Sequence, residues 1–418
     1  MTADNRLSDV AQGLEGSRIL AIATQVRARI AAGEAVAPYT VGDFSPNHYA
    51  VPELLKEAML SAIELDQTNY PPASGLPELR SAISDWMNHR FGLETSAANI
   101  IIGSGARPPL YASLRLLLEP GDGFAHGVPA WNNHYYAHLN QVVDISFVGT
   151  AETRFLPTAA QVAERIEDIR VLMLNSPLNP TGTCFRAEEL GAICDVVLAE
   201  NARRLETGAK PVMVVYDQVY STMTGPGIEH VHPIGVRPQM EPYTIMLDAI
   251  SKSITATGLR VGWMVIPEAL APKATALIGH MGAWPARPIQ QAVAELYSNY
   301  DALEGYLGEL DDQILSRLNI IQTRLSQMRE EGHAVDYVAP EGGIYLTTRF
   351  NLFEAIGATT NEEIRQWLLE EAGVAVVPFQ AFGLENEDGW FRISVGAVGV
   401  QDVVDSMDRL QVALEGLR

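Results

Sequence analysis

Lys252 is one of only four lysines in the chain, with Lys56, Lys210 and Lys273, against 29 basic residues in all. It alone follows a long apolar run, Tyr243-Thr244-Ile245-Met246-Leu247-Asp248-Ala249-Ile250, and it precedes a loop of small residues that ends in Arg260. An amine at the end of a buried strand, in surroundings that disfavour its ammonium form, is the nucleophile that captures a carbonyl ligand as a Schiff base. An arginine eight positions further on can hold an anion carried by the same ligand. A lone lysine is ordinarily a surface or capping residue, so the reading depends on what else converges on it.

Strand-sized runs recur at Ile100–Gly103, Gly123–His126, Val142–Val148, Val171–Asn175, Val212–Asp217, Thr244–Leu247 and Val261–Ile266, mostly separated by helical patterns. This alternation predicts an α/β fold with a mainly parallel sheet, whose ligands sit beyond the carboxyl ends of the strands. The candidate polar residues fall at those ends: Trp131 and His134, Asn179, Asp217 and Tyr220, and Lys252. After Ile100–Gly103, the turn Ser104-Gly105-Ala106-Arg107 opens a helix through Leu118, and the free amides and dipole of such a helix start form an anion seat. Gly42, in Tyr39-Thr40-Val41-Gly42-Asp43, serves either a plain turn or a close backbone approach to a ligand.

Around this sheet, residues 1–35 read as a helical arm with Ile19, Leu20, Ile22, Ala23, Val26 and Ile30 at helical spacing. Pro77 starts an amphipathic helix to about Arg90. A long helix over 303–331 leads to a second α+β unit, with strands at Ile344–Arg349, Val374–Val377 and Trp390–Val395 and helices at 361–372 and 400–416. The expected division is a large α/β domain over 50–302 and a small domain made of 1–49 with 303–418. At 418 residues the chain can bury a sizeable core, and its 47% hydrophobic and 19% charged content is that of a globular enzyme. A net charge of −22 excludes a nucleic-acid backbone as partner. No apolar run reaches the roughly 18–20 residues of a membrane helix, and the first thirty residues lack a signal peptide's pattern. Cys184 and Cys194, ten apart in a helical region without metal-ligand spacing, read as a reduced pair and fit a cytoplasmic location.

Taken in order, these motifs resemble the class I/II, fold-type I aminotransferases that use pyridoxal 5′-phosphate, in particular the aspartate aminotransferase-like members, over roughly residues 38–400. Ser251-Lys252 with Arg260 resembles the Schiff-base lysine and the phosphate-binding arginine. Asn175-Ser176-Pro177-Leu178-Asn179-Pro180-Thr181-Gly182 resembles the family's Asn-Pro turn, Tyr216-Asp217-Gln218-Val219-Tyr220 its Asp-Glu-x-Tyr, and Phe391-Arg392-Ile393-Ser394 the segment of the substrate-carboxylate arginine. The resemblance implies a mostly parallel, seven-stranded-type sheet between helices plus a smaller α+β domain. It implies that Lys252 forms the internal aldimine and then carries the proton at the substrate Cα. Asp217 pairs with the pyridine nitrogen and keeps the ring an electron sink, while Asn179 and Tyr220 donate to its phenolic oxygen. Trp131 stacks on the ring, and His134, in Pro129-Ala130-Trp131-Asn132-Asn133-His134, orients Asp217. Gly105, Ala106 and Arg107 line the phosphate with Arg260, and Ser251 lies beside it. Arg392 clamps the substrate α-carboxylate as a bidentate partner that lysine cannot copy. The resemblance also implies that Tyr70 reaches the phosphate of a neighbouring subunit, and hence a homodimer with shared sites.

The sequence departs from the family at three places. Ala249 stands where a phosphate-binding serine is usual, with Ser251 or Ser253 in reach to compensate. Phe379 replaces a common glycine after Pro378, which is expected to narrow the small-domain side. The segment His280-Met281-Gly282-Ala283-Trp284-Pro285-Ala286-Arg287-Pro288 offers Arg287 for a side-chain carboxylate and Trp284 for an apolar substituent. The expected reaction moves the amino group of an L-amino acid to a 2-oxo acid, 2-oxoglutarate first. The alternative on the same cofactor is β-elimination, decarboxylation or oxidation. An effector-sensing module on this fold would need a basic helix-turn-helix extension, and the chain shows none.

Overall fold

The computed structural model describes residues 6–417. A seven-stranded sheet runs in the spatial order Ile100–Gly103, Gly262–Val265, Thr244–Ala249, Met213–Asp217, Ile169–Asn175, Gly123–Val128, Val143–Val148. Every neighbouring pair is parallel except those made by Gly262–Val265, which is antiparallel to both of its neighbours. The reversal has a local cause. Between Ala249 and Gly262 the chain holds only the short helix Ile250–Ser253 and a loop, without the crossover helix that ordinarily returns a chain to the start of a parallel strand. The loop therefore stays at one end of the sheet, and Lys252 and Arg260 are both left over the carboxyl end of Thr244–Ala249.

Both faces of the sheet are covered, as the near-continuous apolar strands require. On one side Pro77–Phe91 and Arg287–Ser298 pack through Leu79, Ile83, Trp86, Ile289 and Val293. On the other, Arg107–Leu117 and Ala271–Met281 pack through Leu110, Leu114, Ala274 and Ile278. Pro77 does open its helix, and Gly92, at φ 64°, closes it in the left-handed cap that glycine adopts without strain. Tyr300–Glu330 spans two cores: Leu303 and Leu307 belong to the first, Leu310 through Met328 to the second.

The second core surrounds an antiparallel sheet ordered Val377–Pro378, Trp390–Ser394, Tyr345–Phe350, Val335–Val338. Ala37, Tyr39, Phe44 and Tyr49 pack into it. Three expectations change here. The strand Val335–Val338 escaped the sequence because only Val335 of its four residues is fully buried. The run 374–377 is divided, Val374–Ala375 pairing with Ala37–Pro38 and Val377–Pro378 with Trp390–Ser394, so that one apolar stretch serves two sheets. The N-terminal arm is two helices, Asp9–Gln12 and Arg18–Ala31, interrupted at Gly13–Ser17; residues 1–5 of the expected arm lie outside the described residues. Cys184 precedes the helix Ala187–Thr207 that holds Cys194, and both are buried and free. Among the described residues no helix is long and apolar enough to cross a membrane.

Candidate active site

Where the carboxyl ends of the strands meet the second core lies a cavity of about 540 Å³. Gly42, Ala106, Arg107, Trp131, Asn179, Asp217, Tyr220, Ser251, Lys252, Arg260 and Arg392 all line it. Residues from seven separate segments of the sequence thus share one space.

Lys252 is in the short helix Ile250–Ser253, and its Nζ donates to the carbonyl of Gly42. Burial lowers its pKa to about 8; Asp43 opposes the shift, while Arg392, Arg260 and Arg107 reinforce it. The neutral amine is the nucleophile, and its fraction grows as pH rises through that value. Capture of a carbonyl cofactor by the cofactor-free protein should therefore accelerate about tenfold per pH unit below 8 and level off above it. Stopped-flow absorbance at a series of pH values measures this. A rate still climbing at pH 10 would mean an amine of ordinary basicity.

Asp217 ends the strand Met213–Asp217, half-buried at the cavity wall. Its Oδ1 accepts one backbone N–H, from Val219 at 3.1 Å. Burial pushes its pKa up to about 6, against the pull of Val219 and Lys252. A protonated pyridine nitrogen is the counter-charge that such a carboxylate lacks. Asn179 accepts at Oδ1 from Arg392 Nη1 at 3.0 Å, and its backbone N–H donates to Asn175 Oδ1. Arg392 Nη2 donates to the carbonyl of Thr40 at 2.5 Å, and Nε has no partner among the described residues. The guanidinium lies between the rings of Tyr345 and Phe382, 4.8 Å from each centroid. The two residues expected to meet the cofactor oxygen and the substrate carboxylate are thus in direct contact.

At the other end Arg260 adopts φ 57°, a left-handed conformation rare for arginine. Its Nη1 donates to Thr257 O at 2.7 Å and Nη2 to Ser104 O at 3.3 Å. Gly105, at φ 79°, holds a backbone conformation that side chains rarely adopt, and a Cβ there would stand 2.2 Å from Arg260 Nη2. Arg260, with Ala106 and Arg107 at the start of helix Arg107–Leu117, makes a cationic cradle suited to a phosphate. Arg107 lies over Trp131, 4.4 Å from the ring centroid. These residues fit pyridoxal phosphate: an amine of lowered basicity, an acid with raised pKa and no salt bridge among the described residues, and an anion cradle face one cavity.

Three expected site residues stand elsewhere. His134 makes no bond to Asp217. The helix Asn133–Asn140 buries Asn133, Tyr136 and Ala137, at the spacing of one helical face, and that phase turns His134 toward Tyr135, His126 and Asp144. Tyr136 is the side chain of this helix whose ionisation feels both Arg107 and Asp217; burial pushes its pKa up to about 12. Tyr70 is 85% exposed and meets Trp284 edge to face at 6.2 Å. Arg287 donates to Asn69 Oδ1 at 3.0 Å, on the same outer edge. Phe379 is buried against Phe155 at 5.1 Å and does not narrow the cavity. Tyr345, Asp43, and Ser17, Leu20 and Arg27 of the N-terminal segment line the cavity without having been expected there.

With this geometry in place the comparisons with known proteins are informative. The family model described as "Aminotransferase class I and II" matches residues 40–407. The chain is 29% identical over 413 residues to the aspartate aminotransferase of Geobacillus stearothermophilus, covering 98% of this chain and 97% of that one. It is 27% identical to the aspartate/prephenate aminotransferase of Cereibacter sphaeroides, covering 98% and 99%. Its fold matches that of the aspartate aminotransferase of Thermus thermophilus at TM-score 0.86 and 23% identity, over 98% of this chain and 99% of that one. The aspartate aminotransferase of Rhizobium meliloti matches at TM-score 0.86 and 24% identity, over 98% of each chain. The chain belongs to the class I and II aminotransferase family. It is a pyridoxal-phosphate-dependent aminotransferase.

Proposed function

We propose that the donor is an acidic L-amino acid, the acceptor 2-oxoglutarate, and the site residues those gathered around Lys252. The observation that carries the reading is the buried amine of Lys252 in one cavity with Asp217, Arg260 and Arg392. When bound, pyridoxal phosphate supplies an electron sink that stabilises negative charge at the substrate Cα. Arg392 holds the α-carboxylate common to every substrate in both half-reactions, and Asn179 keeps its fork in place. Lys252, its amine near neutrality, takes the proton from Cα and returns it. Asp217 would hold the cofactor's ring through a protonated nitrogen, and Tyr220 and Asn179 would donate to its phenolic oxygen.

Acidic donors are supported by the names of the curated relatives, aspartate aminotransferases among them. The acceptor and the donor then share a second carboxylate. Arg287 is our candidate for it, reaching the cavity of a partner subunit with Tyr70 and Trp284. Support for such a homodimer comes from the surface beside these residues, where Leu60, Ile63, Leu65 and Tyr70 are all exposed, an apolar patch of the kind that subunit contact covers. The unit built from 6–49 and 303–417 would close over the cavity and exclude water. Two free, buried cysteines suit a reducing, cytoplasmic setting.

Replacing Arg287 with alanine tests the donor assignment. It should lower kcat/KM for L-aspartate and L-glutamate by roughly 10- to 100-fold, the worth of one charge-assisted pair, and leave L-leucine and L-phenylalanine within about twofold. A uniform profile before and after the change would dismiss Arg287, and slow turnover of both acidic amino acids by the unaltered enzyme would dismiss acidic donors.

A further inference from the structure

Tyr345 opens the strand Tyr345–Phe350 and is fully buried at the wall of the cavity. Its hydroxyl lies 2.5 Å from that of Tyr220, and the two rings meet edge to face at 5.4 Å. On one flank the Arg392 guanidinium lies against its ring. Next to its hydroxyl is Gly42, where a Cβ would stand 2.2 Å from Tyr345 Oη; the carbonyl of that same glycine receives Lys252 Nζ. One phenol therefore touches the carboxylate clamp, the loop that holds the lysine, and the tyrosine expected at the cofactor's phenolic oxygen. Gly42 is small because this hydroxyl needs the space.

Two phenols that share a hydrogen bond contribute one proton to it and keep the other free. If Tyr220 donated to Tyr345, it would present only lone pairs to an anionic oxygen, which repels them. If Tyr345 donates, the Tyr220 proton is free for that oxygen, and a hydroxyl that accepts one hydrogen bond becomes a better donor of the next. We propose that Tyr345 is a positioning residue: its hydroxyl donates to the Tyr220 oxygen and so commits the Tyr220 proton to the cofactor's phenolic oxygen. The inference rests on the reading of the cavity given above.

The test uses the cofactor-loaded enzyme and a pH titration of its visible absorption. A hydrogen bond to the phenolic oxygen favours the unprotonated chromophore, so weakening that bond raises the titration midpoint. Tyr345→Phe keeps the ring against Arg392 and removes only the hydroxyl. The midpoint should rise by about half to one pH unit, kcat should fall several-fold, and KM for the amino acid should stay within about twofold. Gly42→Ala, which crowds the hydroxyl while keeping the phenol, should move the midpoint the same way. Because Tyr345 acts through Tyr220, the double variant Tyr220→Phe/Tyr345→Phe should titrate like Tyr220→Phe alone, whereas a merely structural role would give additive shifts. A visible band with an unshifted midpoint in Tyr345→Phe, or additivity in the double variant, overturns this inference and leaves the reading of the cavity standing. A wild-type protein that forms no visible band with pyridoxal phosphate overturns both.

Discussion

Lys252→Ala should lower the transamination rate by more than about a thousandfold, because one side chain supplies both the nucleophile and the proton carrier. No neighbour can stand in. The other lysines, Lys56, Lys210 and Lys273, line no part of this cavity, and Arg107, Arg260 and Arg392 remain charged at any working pH and hold no amine lone pair. The variant should fold normally, since it removes a buried charge whose ammonium form is disfavoured by its surroundings. It should also still bind the cofactor, because Arg260, Gly105 and Asp217 are untouched. Borohydride treatment followed by peptide mapping gives the matching structural result. In the wild type the reduced cofactor stays on the peptide that contains Lys252; in the variant it attaches nowhere. Residual activity within tenfold of wild type would move the chemistry to another residue.

Arg392→Lys should raise KM for the amino acid and for the 2-oxo acid together, by roughly 10- to 100-fold each. The guanidinium is buried, stacked between two rings, and tied to Asn179 and to the Thr40 carbonyl. A lysine ammonium offers a point charge without the planar fork, and it cannot bridge those two fixed acceptors while meeting a carboxylate in the plane. Truncating one member of a buried charge-assisted pair costs about 2–5 kcal/mol; the smaller effect expected here reflects the charge that lysine retains. Steady-state kinetics with each substrate varied in turn decides the matter. A change confined to one substrate would mean that the two α-carboxylates are bound by different groups.

The positions of these residues were legible in the sequence for a physical reason. Asp217, Asn179 and Lys252 each end a strand or follow one directly, and in a mainly parallel sheet those ends converge whatever the crossovers between them do. The single reversed strand was not legible, although it keeps Lys252 and Arg260 at the same end of the sheet. His134 was misplaced because a motif gives spacing without helical phase. Only the start of the helix at Asn133 decides that Tyr136 faces inward and His134 does not. Tyr345 went unassigned for a different cause. Its significance lies in contacts with Tyr220, Gly42 and Arg392, which come from distant segments that no local pattern brings together. Tyr70 and Arg287 were placed by motif alone, and both stand on an outer edge away from the residues that line the cavity.

If Lys252 carries the transamination, its cavity passes an amino group from an amino acid to the cofactor and on to a 2-oxo acid in two separable halves. The most direct test is the absorption spectrum of the cofactor-loaded protein, taken before and after L-glutamate or L-aspartate and again after 2-oxoglutarate. The visible band should bleach with the amino acid alone, with no release of ammonia, and return in full only on addition of the oxo acid. A band that recovers without any oxo acid, with ammonia or pyruvate accumulating, would contradict transamination and assign the cavity to elimination or oxidation.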